Sequence, residues 1–533
     1  MPSRLSWRLA PAAAGAAALA IYLLRLDHAA GLIVDDAWYM VLAKALAQGD
    51  GYKLISAAGG AILPAVPPGF PLLLAPVFLF APQFPDNIAW LKAVSIVAML
   101  ATGPASYWYF VRYRNLLPSV AAMLAFAIVT LPAFVFLATS TVMAECVFTF
   151  AQVVTVVWLE RSARRDQATK DVAIAGVLAA ATVLIRIAGV ALVVAGVAYL
   201  IKVRLWKRAA GFAVVVAVCL VPWLLYAQTH QPTPEQRRAN GGAMAHSYLE
   251  LLTMSRTGDP NSPRVTAAGV AGRIVRNAVN ILGRDLGAIV MPVLYRGPDE
   301  SGQEVIAVGG SEGTQVSSMG GAGATMVVSF AISVITLIGF AGSVRSRVTL
   351  AELLVPTTLA MIALVGAQSY RYVVPLAPFL LLYFWRGTDA VWAPMVRVIR
   401  GSAVPARAAS VGWLVVIGFN LVDHALYIRI KNTALSSEWV RLAREADEVL
   451  VWMNQHLEDE GAVASTNPGL VFLRTRRPAY APTDLITDWP RWKADGVRYV
   501  VALRKVGLPA ARLGYEVRYQ TAGHGFWIIE VAP

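Results

Sequence analysis

From Leu9 to Tyr427 the chain is a succession of long apolar runs, parted mainly by short clusters of arginine and lysine. The runs lie near 9–26, 88–111, 116–138, 142–159, 172–201, 209–228, 325–343, 349–367, 372–386 and 408–427. A helix of about 20 apolar residues spans the hydrocarbon of a bilayer, and it satisfies all its backbone polar groups while doing so. The sequence therefore predicts a mainly α-helical, polytopic membrane bundle. The composition agrees: 57% of residues are hydrophobic and 15% charged, against about 25% charged in an average soluble domain. The run 9–26 follows a short basic N-terminus and is long enough to be an uncleaved first helix.

In a soluble protein a net charge of +14 would suggest nucleic acid. Here the cations sit between apolar runs: Arg112 and Arg114; Arg161, Arg164, Arg165 and Lys170; Lys202, Arg204, Lys207 and Arg208; Arg345 and Arg347; Arg386, Arg397, Arg400 and Arg407. That is the pattern of cytoplasmic loops facing anionic headgroups, so the partner read from the charge is the lipid bilayer and not nucleic acid. The run 172–201 carries a cluster at each end. One crossing would place one cluster outside, so two short crossings are expected, turning near Arg186-Ile187-Ala188-Gly189. The total becomes about eleven spans, with a cytoplasmic N-terminus and an external C-terminus. Cys146 and Cys219 lie inside apolar runs and build neither a disulfide framework nor a thiolate metal site.

Three regions then lie outside: 27–87, 229–324 and 428–533. In the first, a helix is expected from Ala37 to Gln48, with Asp36 as its N-cap and Gly49 or Gly51 as its stop. The turn Pro67-Pro68-Gly69-Phe70-Pro71 leads into the apolar piece Pro71–Ala81, too short to span and read as interfacial. The second region holds an amphipathic helical stretch, Val265 to Leu294, and a Gly- and Ser-rich segment over 297–324. The tail differs in kind. A charged amphipathic helix over Glu438–Glu460 precedes β-like runs at Ala462–Ser465, Val497–Leu503, Tyr515–Tyr519 and Phe526–Val531. The expected division is a membrane part, 1–428, and a small soluble α/β domain, 429–533.

Asp35 and Asp36 are the sharpest chemical signal. Adjacent carboxylates at the membrane edge raise each other's pKa, as burial does, which makes a candidate general base. A helix cap and a cation site are the other readings of the same pair, with His28 close enough in sequence to join a metal. No cofactor is called for, and a divalent cation stays open. Trp38, Tyr39 and Trp90 fit an interfacial aromatic belt.

The stretch Asp35-Asp36-Ala37-Trp38-Tyr39, followed by Ala43, Leu46, Gly49, Gly51-Tyr52 and Pro67-Pro68-Gly69-Phe70-Pro71-Leu72, resembles the GT-C superfamily of integral-membrane glycosyltransferases. It looks closest to bacterial relatives of protein O-mannosyltransferases and lipid A aminoarabinose transferases. Phe70 stands where those proteins usually have Tyr. The resemblance implies a GT-C bundle in a bacterial inner membrane, with its active site on the outer face. It implies a polyprenyl-phosphate-linked sugar donor and an acceptor hydroxyl on protein, lipid or glycan. Asp35 would take the acceptor's proton, the hydroxyl would attack the anomeric carbon with inversion, and Asp36 would tune Asp35, orient the acceptor or help hold a cation. The leaving phosphate needs positive charge, for which Arg186 and Arg371 are the candidates. Arg371-Tyr372, ahead of apolar residues and Pro375, also resembles the family's late helix. Glu145, an acidic residue inside a span, is expected to assemble the pocket or touch the acceptor, with Tyr39 and Tyr372 lining it. Two other classes compete. A transporter or flippase would place charge mid-membrane and show internal repeats, and none is evident. An oligosaccharide ligase would take a pyrophosphate-linked glycan instead.

Overall fold

The computed structural model describes residues 4–57, 66–164, 169–233, 235–236, 252–254, 263–291, 322–365, 370–400, 405–433, 436–457, 463–481, 488–504, 506–523 and 525–531. The expected Gly- and Ser-rich segment lies outside these up to residue 321. Helices dominate: α1 Arg4–Arg25, α2 Val34–Gln48, α3 Gly69–Phe80, α4 Ile88–Tyr113, α5 Pro118–Val129, α6 Pro132–Thr139, α7 Glu145–Ser162, α8 Thr169–Ile185, α9 Val190–Lys202 and α10 Trp206–Thr229. The second half adds α11 Ala267–Asn280, α12 Leu286–Val290, α13 Ala322–Ser346, α14 Leu350–Leu364, α15 Tyr370–Val373, α16 Ala377–Arg400, α17 Pro405–Ile430, α18 Glu438–His456, α19 Pro468–Thr475 and α20 Trp489–Ala494.

Among the described residues, 4 helices are long and apolar enough to cross a membrane, or up to 5 if the bent pair α5–α6 is one span. The chain is an integral membrane protein, but the eleven expected spans are not reached by this measure. Several runs that read as spans from sequence are shorter, broken or charged. The run 116–138 bends by 44° between α5 and α6, where Pro132 supplies no N–H to the helix ladder. The carbonyls freed at this break are satisfied from neighbouring helices: Tyr22 Oη of α1 donates to Val129 O at 2.7 Å, and His424 Nε2 of α17 lies 2.8 Å from Thr130 O. Because His424 Nδ1 faces Arg25 Nη1 at 2.8 Å, the neutral ring must carry its proton on Nε2. A broken helix is tolerated at membrane depth when protein re-satisfies it in this way.

The run 172–201 divides where the charge pattern requires. α8 ends at Ile185, Arg186 is extended (φ −148°, ψ 134°), and a 3-10 turn over Ile187–Gly189 leads into α9. Gly176 on α8 and Gly196 on α9, placed symmetrically about Arg186, both pack on Phe212 of α10. The two helices therefore fold back on each other, with Arg186 at the tip.

Helix α2 starts earlier than expected, at Val34, and Ile33 is its N-cap with no side-chain cap bond. Asp36 is thus not the cap but sits in the first turn. Its Oδ2 instead accepts from the Gly31 backbone N–H at 2.8 Å. Gly49 ends the helix in the left-handed conformation (φ 81°), as a C-terminal glycine does.

The tail carries a five-stranded sheet in the order β2-β1-β3-β5-β4, with β1 Val463–Ser465, β2 Ala479–Tyr480, β3 Tyr499–Ala502, β4 Tyr515–Gln520 and β5 Trp527–Val531. β1 pairs parallel with β2 and β3, while β5 runs antiparallel to β3 and β4. Strand side chains alternate between faces. Val463, Val501 and Ile528 join the main core, and Ala464, Val500, Trp527 and Ile529 pack with Trp489 and Trp492 on the other side. The sheet is therefore docked rather than tethered. Asn467 Nδ2 donates to Gly31 O at 2.6 Å, and Ala479 N donates to Ser56 O at 3.0 Å. A Cβ on Gly469 would come within 2.9 Å of Ala37 on α2. The start of α2, which carries the two aspartates, is thus held between this sheet region and the other helices.

Candidate active site

Four segments far apart in sequence place charged side chains at one spot. Asp35 comes from the first turn of α2, Glu145 from the start of α7, Arg186 from the tip between α8 and α9, and Arg371 from α15. Arg371 Nη2 donates to Asp35 Oδ2 at 2.6 Å, and its Nε lies 3.2 Å from Glu145 Oε1. The same Glu145 oxygen is 2.5 Å from Arg186 Nη1. Tyr372 sits beneath both guanidinium groups, its ring centre 5.6 Å from Arg186 and 5.4 Å from Arg371. Of the four charged side chains, Asp35 is the most open, at 35% exposure, while Glu145 is fully buried.

Local packing explains this convergence. Gly69, in the Pro-Pro-Gly-Phe turn, approaches the hairpin tip so closely that a Cβ would lie 2.7 Å from the Leu184 backbone and 2.9 Å from Ile185 N. Phe70 next to it meets Tyr39 of α2 edge-to-face at 5.0 Å. One turn therefore sets both the height of Arg186 and the rotation of the helix bearing Asp35. Tyr39 is buried and lies in the field of Arg186, Glu145, Asp35 and Arg371, and burial pushes its hydroxyl pKa well up. It belongs to the cluster and not to an interfacial belt. Trp90, by contrast, is exposed and stacks edge-on against Phe80.

Asp36 is fully buried. Burial pushes its pKa up to about 8, against the bond from Gly31 N–H and with Asp35 adding to the rise. At neutral pH it is mainly protonated. Gly31, whose φ of +82° suits glycine, bonds Asp36 through its N–H and Asn467 through its carbonyl.

Glu145 was expected to assemble the pocket or touch the acceptor, and it forms the ionic bridge between the two arginines. Both Glu145 oxygens and Arg186 Nη1 lack an aligned hydrogen bond among the described residues, so the contacts are ionic and hydrogen-bonding capacity remains. Among the described residues no three His, Cys, Asp or Glu side chains gather as metal ligands. Asp35, Asp36 and His28 are not brought together, and His28 lies instead in the field of Asp447 on α18.

Sequence reasoning missed a second ionic group at this end of the helices. Lys92 Nζ is 3.0 Å from Asp27 Oδ1, and Asp27 also accepts from Ser140 and Tyr427. Arg25 pairs with Asp423 at 3.0 Å over the Tyr427 ring. Charges inside apolar runs were the available signal, but the partner of Lys92 lies 65 residues away and that of Arg25 398.

No family model matches the chain, and no curated protein matches it in sequence. Solved structures do. ArnT from Cupriavidus metallidurans bound to undecaprenyl phosphate aligns with a TM-score of 0.57 at 13% identity, covering 99% of each chain. The apo state of that protein gives 0.53 at 12%, covering 99% of this chain and 98% of that one. The oligosaccharyltransferase AglB from Archaeoglobus fulgidus, in complex with an inhibitory peptide and a dolichol-phosphate, gives 0.51 at 10%, covering 94% of this chain and 70% of that one. At such identities the likeness is one of architecture: this chain shares the fold of ArnT and AglB.

Proposed function

We propose that the protein is a glycosyltransferase that moves a sugar from a polyprenyl-phosphate donor to a hydroxyl acceptor at the outer face of the membrane. The observation that carries this reading is the meeting of Asp35, Glu145, Arg186 and Arg371 at one place, with Asp35 open and hydrogen-bonding capacity unspent on Glu145 and Arg186. ArnT and AglB, whose solved structures hold undecaprenyl phosphate and dolichol-phosphate, support the donor class. In this reading the helices make eleven crossings, counting α5–α6 as one and α8 and α9 as two, with the site end outside.

The chemistry of this reading is a direct displacement at the anomeric carbon. The acceptor hydroxyl loses its proton to Asp35 as its oxygen bonds to the anomeric carbon. The bond from that carbon to the phosphate oxygen breaks, and polyprenyl phosphate leaves with the electron pair. Arg371 first holds the Asp35 carboxylate in place, then shares its donors with the departing phosphate. Arg186 adds the second positive charge, and both guanidinium groups offer the planar fork that suits phosphate oxygens. Glu145 keeps the arginines together when no phosphate is present.

The test is transfer by the purified protein from polyprenyl-phosphate sugars to glycolipid, peptide or wall-glycan acceptors. Transfer by the native protein and its loss in Asp35→Asn are expected. Lipid movement across the membrane without any transfer would favour a flippase, and a requirement for a pyrophosphate-linked glycan would favour a ligase.

A further inference from the structure

Arg273, on the amphipathic helix α11, is buried, and the hydrogen bonds it makes go to carbonyl oxygens. It donates to Leu252 O at 3.1 Å, to Met254 O at 2.5 Å and to Leu364 O at 3.3 Å. One turn along the same face, Asn277 Nδ2 donates to Ala363 O at 3.1 Å and to Val365 O at 2.9 Å. Ala363, Leu364 and Val365 are the end of α14, where the last carbonyls of a helix have no partner of their own. A helix C-terminus also carries partial negative charge, which suits a cation. Arg273 and Asn277 together therefore act as the C-terminal cap of a helix in a different part of the chain.

The location gives the cap its consequence. Val365 is six residues before Arg371. On the other side of that interval, Tyr370 Oη donates to Ala288 O, in α12, at 3.3 Å. α11 and α12 belong to the same outer segment, joined by a π-helical turn over Ile281–Asp285. This one segment therefore grips the chain both before and at the entry to α15.

We propose that Arg273 is a positioning residue for Arg371: the α11–α12 segment fixes where the chain leaves α14 and enters α15, and so fixes the reach of the Arg371 guanidinium to Asp35, Glu145 and a donor phosphate. The last part of this rests on the function proposed above; the placement of Arg371 does not.

The two parts are read separately. Hydrogen–deuterium exchange on the purified, ligand-free protein reads placement. Arg273→Ala raises exchange over 363–365 and 370–376 about tenfold or more, Asn277→Ala raises it less, and Arg273→Lys recovers part of the protection, while α16 and the tail sheet are unaffected. Unchanged exchange over these two stretches in both alanine variants overturns the proposal, as does uniform loosening of the whole protein in Asn277→Ala. Affinity for undecaprenyl phosphate reads the consequence. Arg273→Ala weakens it several-fold in the native background and not at all in an Arg371→Ala background. A further loss in that background means that Arg273 does not act through Arg371. If the native protein binds no undecaprenyl phosphate while the exchange result holds, the positioning stands and the donor reading falls.

Discussion

Two ionic clusters, one at the site and one where α4 ends and α14 begins, are built from arginine and carboxylate side chains and are finished to different degrees. In the second of them, Arg114 makes a two-pronged contact with Glu352, at 3.1 and 2.5 Å. The Glu352 carboxylate also accepts from Thr349 N at 2.8 Å, Thr349 Oγ1 at 2.6 Å and Tyr383 Oη at 3.0 Å. Thr349 and Glu352 form a capping box that starts α14. Both oxygens are saturated, and neither residue is exposed. At the site end, Asp35 is open and Glu145 spans two arginines with no aligned hydrogen bond. Among the described residues only Arg114 Nε is left without a partner in the Glu352 cluster, which serves as a lock between α4, α14 and α16. The unsaturated one holds charge in place while leaving donors for something else.

The difference can be broken by substitution. Asp35→Asn is expected to lower turnover by about 10²–10⁴-fold, the range for a general base, while leaving the melting temperature nearly unchanged. A large loss of stability with modest loss of turnover would make Asp35 structural and erase the contrast. Removing one partner of the closed pair should do the reverse. Arg114→Ala is expected to cost about 3–5 kcal/mol of stability, because a buried charge is left alone, and thermal unfolding in detergent reads it. A shift of only a degree or two would show that the lock is not one.

A smaller effect sharpens the site end. Gly69→Ala puts a methyl against the Leu184 backbone, which displaces the hairpin tip and Arg186 with it. The expected result is about a tenfold loss of kcat/KM, of the kind that sub-ångström misplacement produces, with little change in unfolding. A separate effect concerns pH. Asp36 has a folded pKa of about 8, raised from 3.8. Its stabilising contribution is therefore full below the unfolded pKa and fades as pH rises through the folded one. The melting temperature of the native protein should fall between roughly pH 4 and pH 8 more than that of Asp36→Asn. Parallel curves would contradict a protonated Asp36.

How far the sequence could be read depended on whether the signal was local. The helix stop at Gly49, the break at Arg186 and four of the five strands each leave a short-range mark: a glycine, a lone charge in an apolar run, an alternating pattern. Asp36 as a helix cap was a local reading too, and it failed because the carboxylate bonds back to Gly31, outside the helix. Partners were beyond reach. Arg371 and Asp35 are 336 residues apart, and Arg25 and Asp423 are 398 apart. The amphipathic stretch around Arg273 was legible, but backbone carbonyls leave no trace in a sequence, so its role was not. The bend at Pro132 was hidden for a related reason: Tyr22 and His424, which repair it, come from the two ends of the membrane part.

The contrast between the open and closed clusters is tested most directly by the shift in melting temperature that undecaprenyl phosphate gives to three purified proteins measured side by side. Stabilisation of the native protein and of Glu352→Gln, with none for Arg371→Ala, is the expected result. Equal stabilisation of all three, or its loss only in Glu352→Gln, would mean that the lipid phosphate does not engage the cluster around Asp35.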